Sequence, residues 1–151
     1  MQNCPSKVRK IFGCGSFSEG WAHYCEQLYL ETSADAPVAL RLHQLQLALV
    51  RICRYIAGIE MHAKGMTYEQ AVELFVGEGY QERANAEREA RRGTMDPTYL
   101  VYTLGKMEIL KLRDEYRRAK GKSLREFHNE FIRHGYPPIK IARMILLGRR
   151  E

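Results

Sequence analysis

Wherever this sequence is regular, its apolar residues recur at three- and four-residue spacings rather than alternating, and its punctuation is that of helix ends. Thr67 with Gln70 forms a capping box opening TYEQAVELFVGEG, which the glycines at 77 and 79 stop, and Ser123 with Glu126 forms a second, opening LREFHNEFIRHG. Asp35, Ala36 and Pro37 start a long helix through LRLHQLQLALVRICRYIAGIEMH. That segment is apolar on nearly every side, so it is predicted to be buried. Asp96 and Pro97 open PTYLVYTLGKMEILKLRDEYRRAKG, which ends at Gly121 in the left-handed position that favours glycine. Ser18 can cap an earlier helix running to about Thr32, YQERANAEREARRG supplies another, and IKIARMILLGRR follows Pro137 and Pro138. No strand signal or repeat interrupts this pattern. The reading is an all-α fold of about seven helices, a single helical domain over residues 1–151 with no internal boundary.

Composition narrows the function classes. Hydrophobic residues make up 45 % and charged residues 28 % of 151, which is a globular balance and argues against disorder. The longest apolar candidate for a membrane span, LQLALVRICRYIAGI, is broken by Arg51 and Arg54, so no membrane partner is expected. MQNCPSKVRKIFGCGSF lacks the apolar centre of a secretory signal, which makes the chain cytoplasmic as it stands, with export of a longer parent left open. Cys4, Cys14, Cys25 and Cys53 form no C-x-x-C pair and read as free thiols, mostly buried. A net charge of +6 raises nucleic acid as a partner, but no basic stripe is interleaved with aromatics, and none is expected.

The usual catalytic motifs are missing. None of His23, His43, His62, His128 and His134 stands in an H-E-x-x-H, the spacing that turns two histidines on one helix toward one zinc ion, and there is no Gly-rich phosphate loop or G-x-S-x-G elbow. One stretch is unusual. In SFSEGWAHYCEQLYLE, Trp21, Tyr24, Cys25 and Leu28 make an apolar stripe, with Glu19, His23 and Glu26 opposite. Glu19 in a first helical turn is favoured by the helix dipole alone. Gly20 is not explained that way: glycine costs about 1 kcal/mol in a helix, so another backbone or a ligand is expected to approach there. Gly105, after Tyr99 and Tyr102, marks close packing in the same manner.

The order of SEGWAHYCEQ, GIEMHAKGMTYEQAVELF, DPTYLVYTLGKMEILKLR and LREFHNEFIRHGYPP, covering about Ser6 to Gly148, resembles the C-terminal part of the bacterial DUF 885 family. That family is similar to helical zinc metallopeptidases of the gluzincin type, in which H-E-x-x-H supplies two ligands and a general base and a downstream glutamate the third ligand. The resemblance implies that Glu19, first in the E-G-W-x-x-Y-x-E element, is the third zinc ligand. Glu26, the last residue of that element, would hold a ligand or a neighbouring helix in place. Tyr102, in the Y-x-x-G element, would donate its hydroxyl to the developing oxyanion. His62 in GIEMHAKG, Arg113 in KLRD and His128 in EFHNEF would line the substrate cleft. Where many relatives read P-G-Q-A, this chain has Asp96-Pro97-Thr98-Tyr99, which puts substrate contacts there in question.

The resemblance also places the H-E-x-x-H helix before Met1, so Met1 reads as lying within a family helix-loop segment. One carboxylate cannot hold catalytic zinc, which takes three protein ligands. Zinc is therefore expected in the complete protein and no tightly bound metal in this chain alone, which should be inactive by itself. Its partners would be a peptide substrate in the complete enzyme and the missing N-terminal portion in trans. A rival reading is a free-standing helical interaction module that kept the fold and lost the chemistry, binding through the face around Glu19, His23 and Glu26.

Overall fold

The computed structural model describes residues 7–148, for Lys10 the backbone only. Cys4, Ser6 and the last residues of the LGRRE run lie outside the described residues. Within them the chain is helical, with no strand: α1 (Lys7–Ile11), α2 (Gly15–Thr32), α3 (Val38–Ala63), α4 (Tyr68–Gly77), α5 (Arg83–Met95), a 3-10 turn (Pro97–Leu100), α6 (Val101–Lys120), α7 (Leu124–Arg133) and α8 (Ile139–Leu147). No described helix is long and apolar enough to cross a membrane.

Both capping boxes form. Gln70 N donates to Thr67 Oγ1 at 3.2 Å while Thr67 N donates to Gln70 Oε1 at 2.8 Å. Glu126 N and Ser123 N make the same reciprocal pair at 3.3 and 2.9 Å. Gly121 ends α6 at φ +64. Ser18, expected as a cap, lies inside α2, its hydroxyl turned back onto the carbonyls of Cys14 and Gly15, both at 3.4 Å. The helix starts earlier because a serine hydroxyl is as well satisfied by a carbonyl behind it as by an amide ahead of it.

Two compact units form. One holds the described residues through Tyr24 and from Leu104 onward, the other residues 25–103, so α2 and α6 contribute to both. In the first, Phe17 stacks on Phe131 with ring centroids 4.3 Å apart, and Ile109, Leu112, Phe127 and Ala142 are fully buried. Arg143 of α8 ties this packing to α6 through Glu108, at 2.9 Å, and Glu115. In the second, Cys53 and Ala57 of α3, Val72 and Phe75 of α4, Ala86 and Ala90 of α5 and Tyr99 of the 3-10 turn share one core. Alanines at three of these contacts let the helices approach closely, and Phe75 alone contributes about 2–3 kcal/mol by its burial.

The long helix departs from expectation. The buried residues of α3, namely Val50, Cys53, Ala57 and Gly58, all lie at or beyond its midpoint. The first half is as apolar as the sequence requires but has little of the described chain packed on it. Of the described thiols, all free, only Cys53 is fully buried, and that burial, followed by the charge of Glu78, pushes it up to about 11.

Candidate functional site

The E-G-W-x-x-Y-x-E element begins where α2 crosses α6 in the first unit. Gly20 and Gly105 are both buried and face each other backbone to backbone: a Cβ on Gly20 would come within 2.6 Å of Gly105 Cα, and one on Gly105 within 2.9 Å of Gly20 Cα, as well as onto the Ser16 carbonyl oxygen. The two helix glycines singled out in the sequence are thus the two halves of one contact. Glu19, half-buried, stands immediately before the crossing, and among the described residues no hydrogen bond or ion pair engages its carboxylate. His23, one turn on, is 2 % exposed, so the face it shares with Glu19 is not a solvated one.

Behind Glu19 an aromatic cluster fixes α2 against α7. Trp21 lies 5.3 Å from Phe131 and 5.4 Å from Tyr24, centroid to centroid, with its edge toward His128 at 5.6 Å. The Tyr24 hydroxyl and His128 Nε2 share a hydrogen bond of 2.8 Å, and the Arg113 guanidinium sits over the Tyr24 ring at 5.8 Å. Arg113 and His128 are therefore brought together, with Tyr24 between them. Tyr24 was read from the sequence as a core aromatic only; the signal for more was the Y of the element itself.

Burial, and then the Arg113 charge, lower the His128 pKa from its ordinary value. A histidine whose folded pKa is depressed contributes its full stability above the unfolded value of about 6.5 and loses it as pH falls toward the folded value, because the unfolded chain takes up the proton first. Tyr24→Phe is expected to cost about 1 kcal/mol at pH 7.5. His128→Gln should flatten the loss of stability below about pH 6.5, read as the shift of the urea midpoint between two pH values.

The remaining candidates lie in the second unit. Arg51 Nη2 of α3 donates to Glu26 Oε1 at 2.7 Å, so Glu26 grips a neighbouring helix, and the Arg51 carbonyl in turn accepts from Thr103 Oγ1 at 3.2 Å. Tyr102, half-buried in the first turn of α6, has Arg54 over its ring at 5.5 Å, and its hydroxyl helps hold Arg92 protonated. His62 Nε2 meets the Gly93 carbonyl at 2.8 Å. A carbonyl only accepts, so Nε2 carries the proton and the ring ties α3 to α5. Arg54 reaches Glu89 with two bonds of 2.6 and 2.7 Å, and the Tyr99 hydroxyl donates to the Glu89 carbonyl at 3.0 Å. Sequence reasoning missed this network, whose only signal was two arginines set into otherwise apolar segments.

Among the described residues no three His, Cys, Asp or Glu side chains converge on a point where a metal could sit. Glu19 is thus not part of any such cluster among the described residues. The family model described as "Bacterial protein of unknown function (DUF885)" matches residues 1–145. The chain belongs to this family. A solved structure of a "putative lipoprotein of unknown function" from Shewanella oneidensis is 37 % identical over 97 % of the chain with a TM-score of 0.88, and a "putative lipoprotein" from Colwellia psychrerythraea is 28 % identical over 87 % with a TM-score of 0.82. The chain spans 28 % and 23 % of the lengths of these two proteins. No curated protein matches it significantly.

Proposed function

We propose that this chain is the C-terminal segment of a zinc peptidase-like DUF885 domain, in which Glu19 supplies one metal ligand and the segment around it shapes the substrate cleft. What carries the reading is the glycine crossing. It uses two helix-weakening residues to bring α2 and α6 into backbone contact beside a half-buried carboxylate that no described residue engages.

A bound zinc ion would polarise a peptide carbonyl and lower the pKa of its water. The residues of this chain hold and orient. Glu19 binds the metal, Trp21 and the Tyr24–His128 pair keep α2 in register, and Glu26 holds α3 through Arg51. Tyr102 takes the role the family resemblance implies, donating its hydroxyl to the developing oxyanion. Arg113 and His128, in the same unit as Glu19, face substrate in this reading, and the resemblance gives His62 the same role. The remaining ligands and the general base come from outside this sequence, which contains no H-E-x-x-H. The descriptions of the two solved relatives support an exported parent protein.

The test is Glu19→Ala and Glu19→Gln in a full-length family protein carrying this segment, with zinc content and peptide hydrolysis measured together. Zinc content should fall by about 10-fold or more, with hydrolysis lost alongside it. Unchanged zinc and unchanged turnover would remove the assignment.

A further inference from the structure

Six apolar residues of α3, Val38, Leu42, Leu45, Leu49, Ile52 and Ile56, follow one another at alternating steps of four and three, the spacing of a seam that accepts another helix. The seam is uncovered: Val38 is 72 %, Leu42 62 % and Leu45 56 % exposed, and Ile52 and Ile56 remain exposed further along. Beside it runs a groove of about 530 Å³ lined by Leu42, Leu45, Leu49 and Tyr80, and on the helix's other flank a smaller one of about 250 Å³ lies among Tyr29, Leu40 and Leu47. Isolated exposed leucines need no explanation, whereas a continuous stripe over five turns marks an interface.

We infer that this seam is the docking face for helices from the remaining part of the DUF885 domain on the same polypeptide. Two observations choose that occupant over a second copy. Two-stranded pairs are specified by charged residues flanking the seam, yet of Ala39, Arg41, Gln46, Ala48, Cys53 and Tyr55 only Arg41 is charged, and its guanidinium is spent on the Ser33 and Ala36 carbonyls. A neutral flank with a groove on each side suits a helix covered by more than one neighbour. The two solved relatives, more than three times longer, contain the same fold at TM-scores of 0.88 and 0.82 and so have the polypeptide to cover it. The inference rests on family membership and on exposure, and is independent of the peptidase reading.

The experiment places a photo-crosslinking amino acid at Leu42 or Leu45 in the native gene, with Met95, exposed and off the seam, as the control position, and identifies the products from living cells by mass spectrometry. The expected products join α3 to peptides matching the unshared part of the family domain, and Leu42→Asp abolishes crosslinking from Leu45 while circular dichroism keeps its helical signal. Products that join only two copies of α3, products equal to those from Met95, or none at all would each overturn the inference. Loss of zinc binding in the Glu19 variants would leave these crosslinks unchanged, so the two readings fail separately.

Discussion

A single methyl group at Gly105 is expected to destabilise the first unit by about 3 kcal/mol, although the same change in an ordinary helix interior stabilises by about 1 kcal/mol. The atoms nearest to the added Cβ are all backbone, among them the Ser16 carbonyl oxygen and Gly20 Cα at 2.9 Å. Flexible side-chain ends can swing away from an intruding methyl, but backbone moves only if α2 and α6 separate. Overpacking therefore outweighs helix propensity by a clear margin. The natural control is Gly77→Ala, since Gly77 closes α4 with open space around its Cα, and there the propensity gain should appear alone. Urea unfolding of both variants decides the matter. A Gly105→Ala protein as stable as wild type would mean that the helices do not approach this closely, and the argument that places Glu19 beside the crossing would go with it.

The glycines also show how far the sequence could be read. A glycine inside a helix is locally unfavourable, so its presence carries information, and both Gly20 and Gly105 were legible as points of close approach. Local chemistry was legible for the same reason at Thr67, Ser123 and Gly121, where cap and stop residues act on their own backbone within four positions. What one sequence does not contain is pairing between residues far apart along the chain. Nothing in the spacing of Tyr24 and His128, 104 residues apart, announces their hydrogen bond, and the partners of Arg54 and Arg51 were equally hidden. The reading of α3 differed for another reason. Apolar periodicity reports what a helix requires, namely a cover, and that cover need not belong to the described residues. Glu19 sits between these cases: its position by the crossing is structural fact, while the metal role proposed for it calls on residues this sequence does not hold.

Glu89→Gln should be the most damaging polar substitution in the second unit, at about 3 kcal/mol near neutral pH, because it strands the Arg54 guanidinium in a largely buried site. Both side chains are four-fifths or more buried, so solvent screens the pair only slightly, and the two parallel bonds give it a geometry that a lysine could not reproduce. Burial by itself would raise the Glu89 carboxyl, but the hydrogen bonds and charge of Arg54, with help from Tyr99 and Arg92, hold it below its ordinary value. The sign of the pH dependence follows. A carboxylate depressed in the folded state contributes stability that is complete above the unfolded value of about 4.3 and is lost as pH falls through the folded value. The difference between wild type and Glu89→Gln in thermal midpoint should thus be largest at pH 7 and shrink below about pH 4. Replacing both partners with apolar residues, Arg54→Met with Glu89→Leu, should recover much of the loss, since no charge is then left buried alone. If instead the double variant is as unstable as Glu89→Gln, the pair is indispensable to the packing of α3 on α5. Tyr99, whose hydroxyl donates to the Glu89 carbonyl and lies 3.3 Å from its carboxylate, would be the next residue to test.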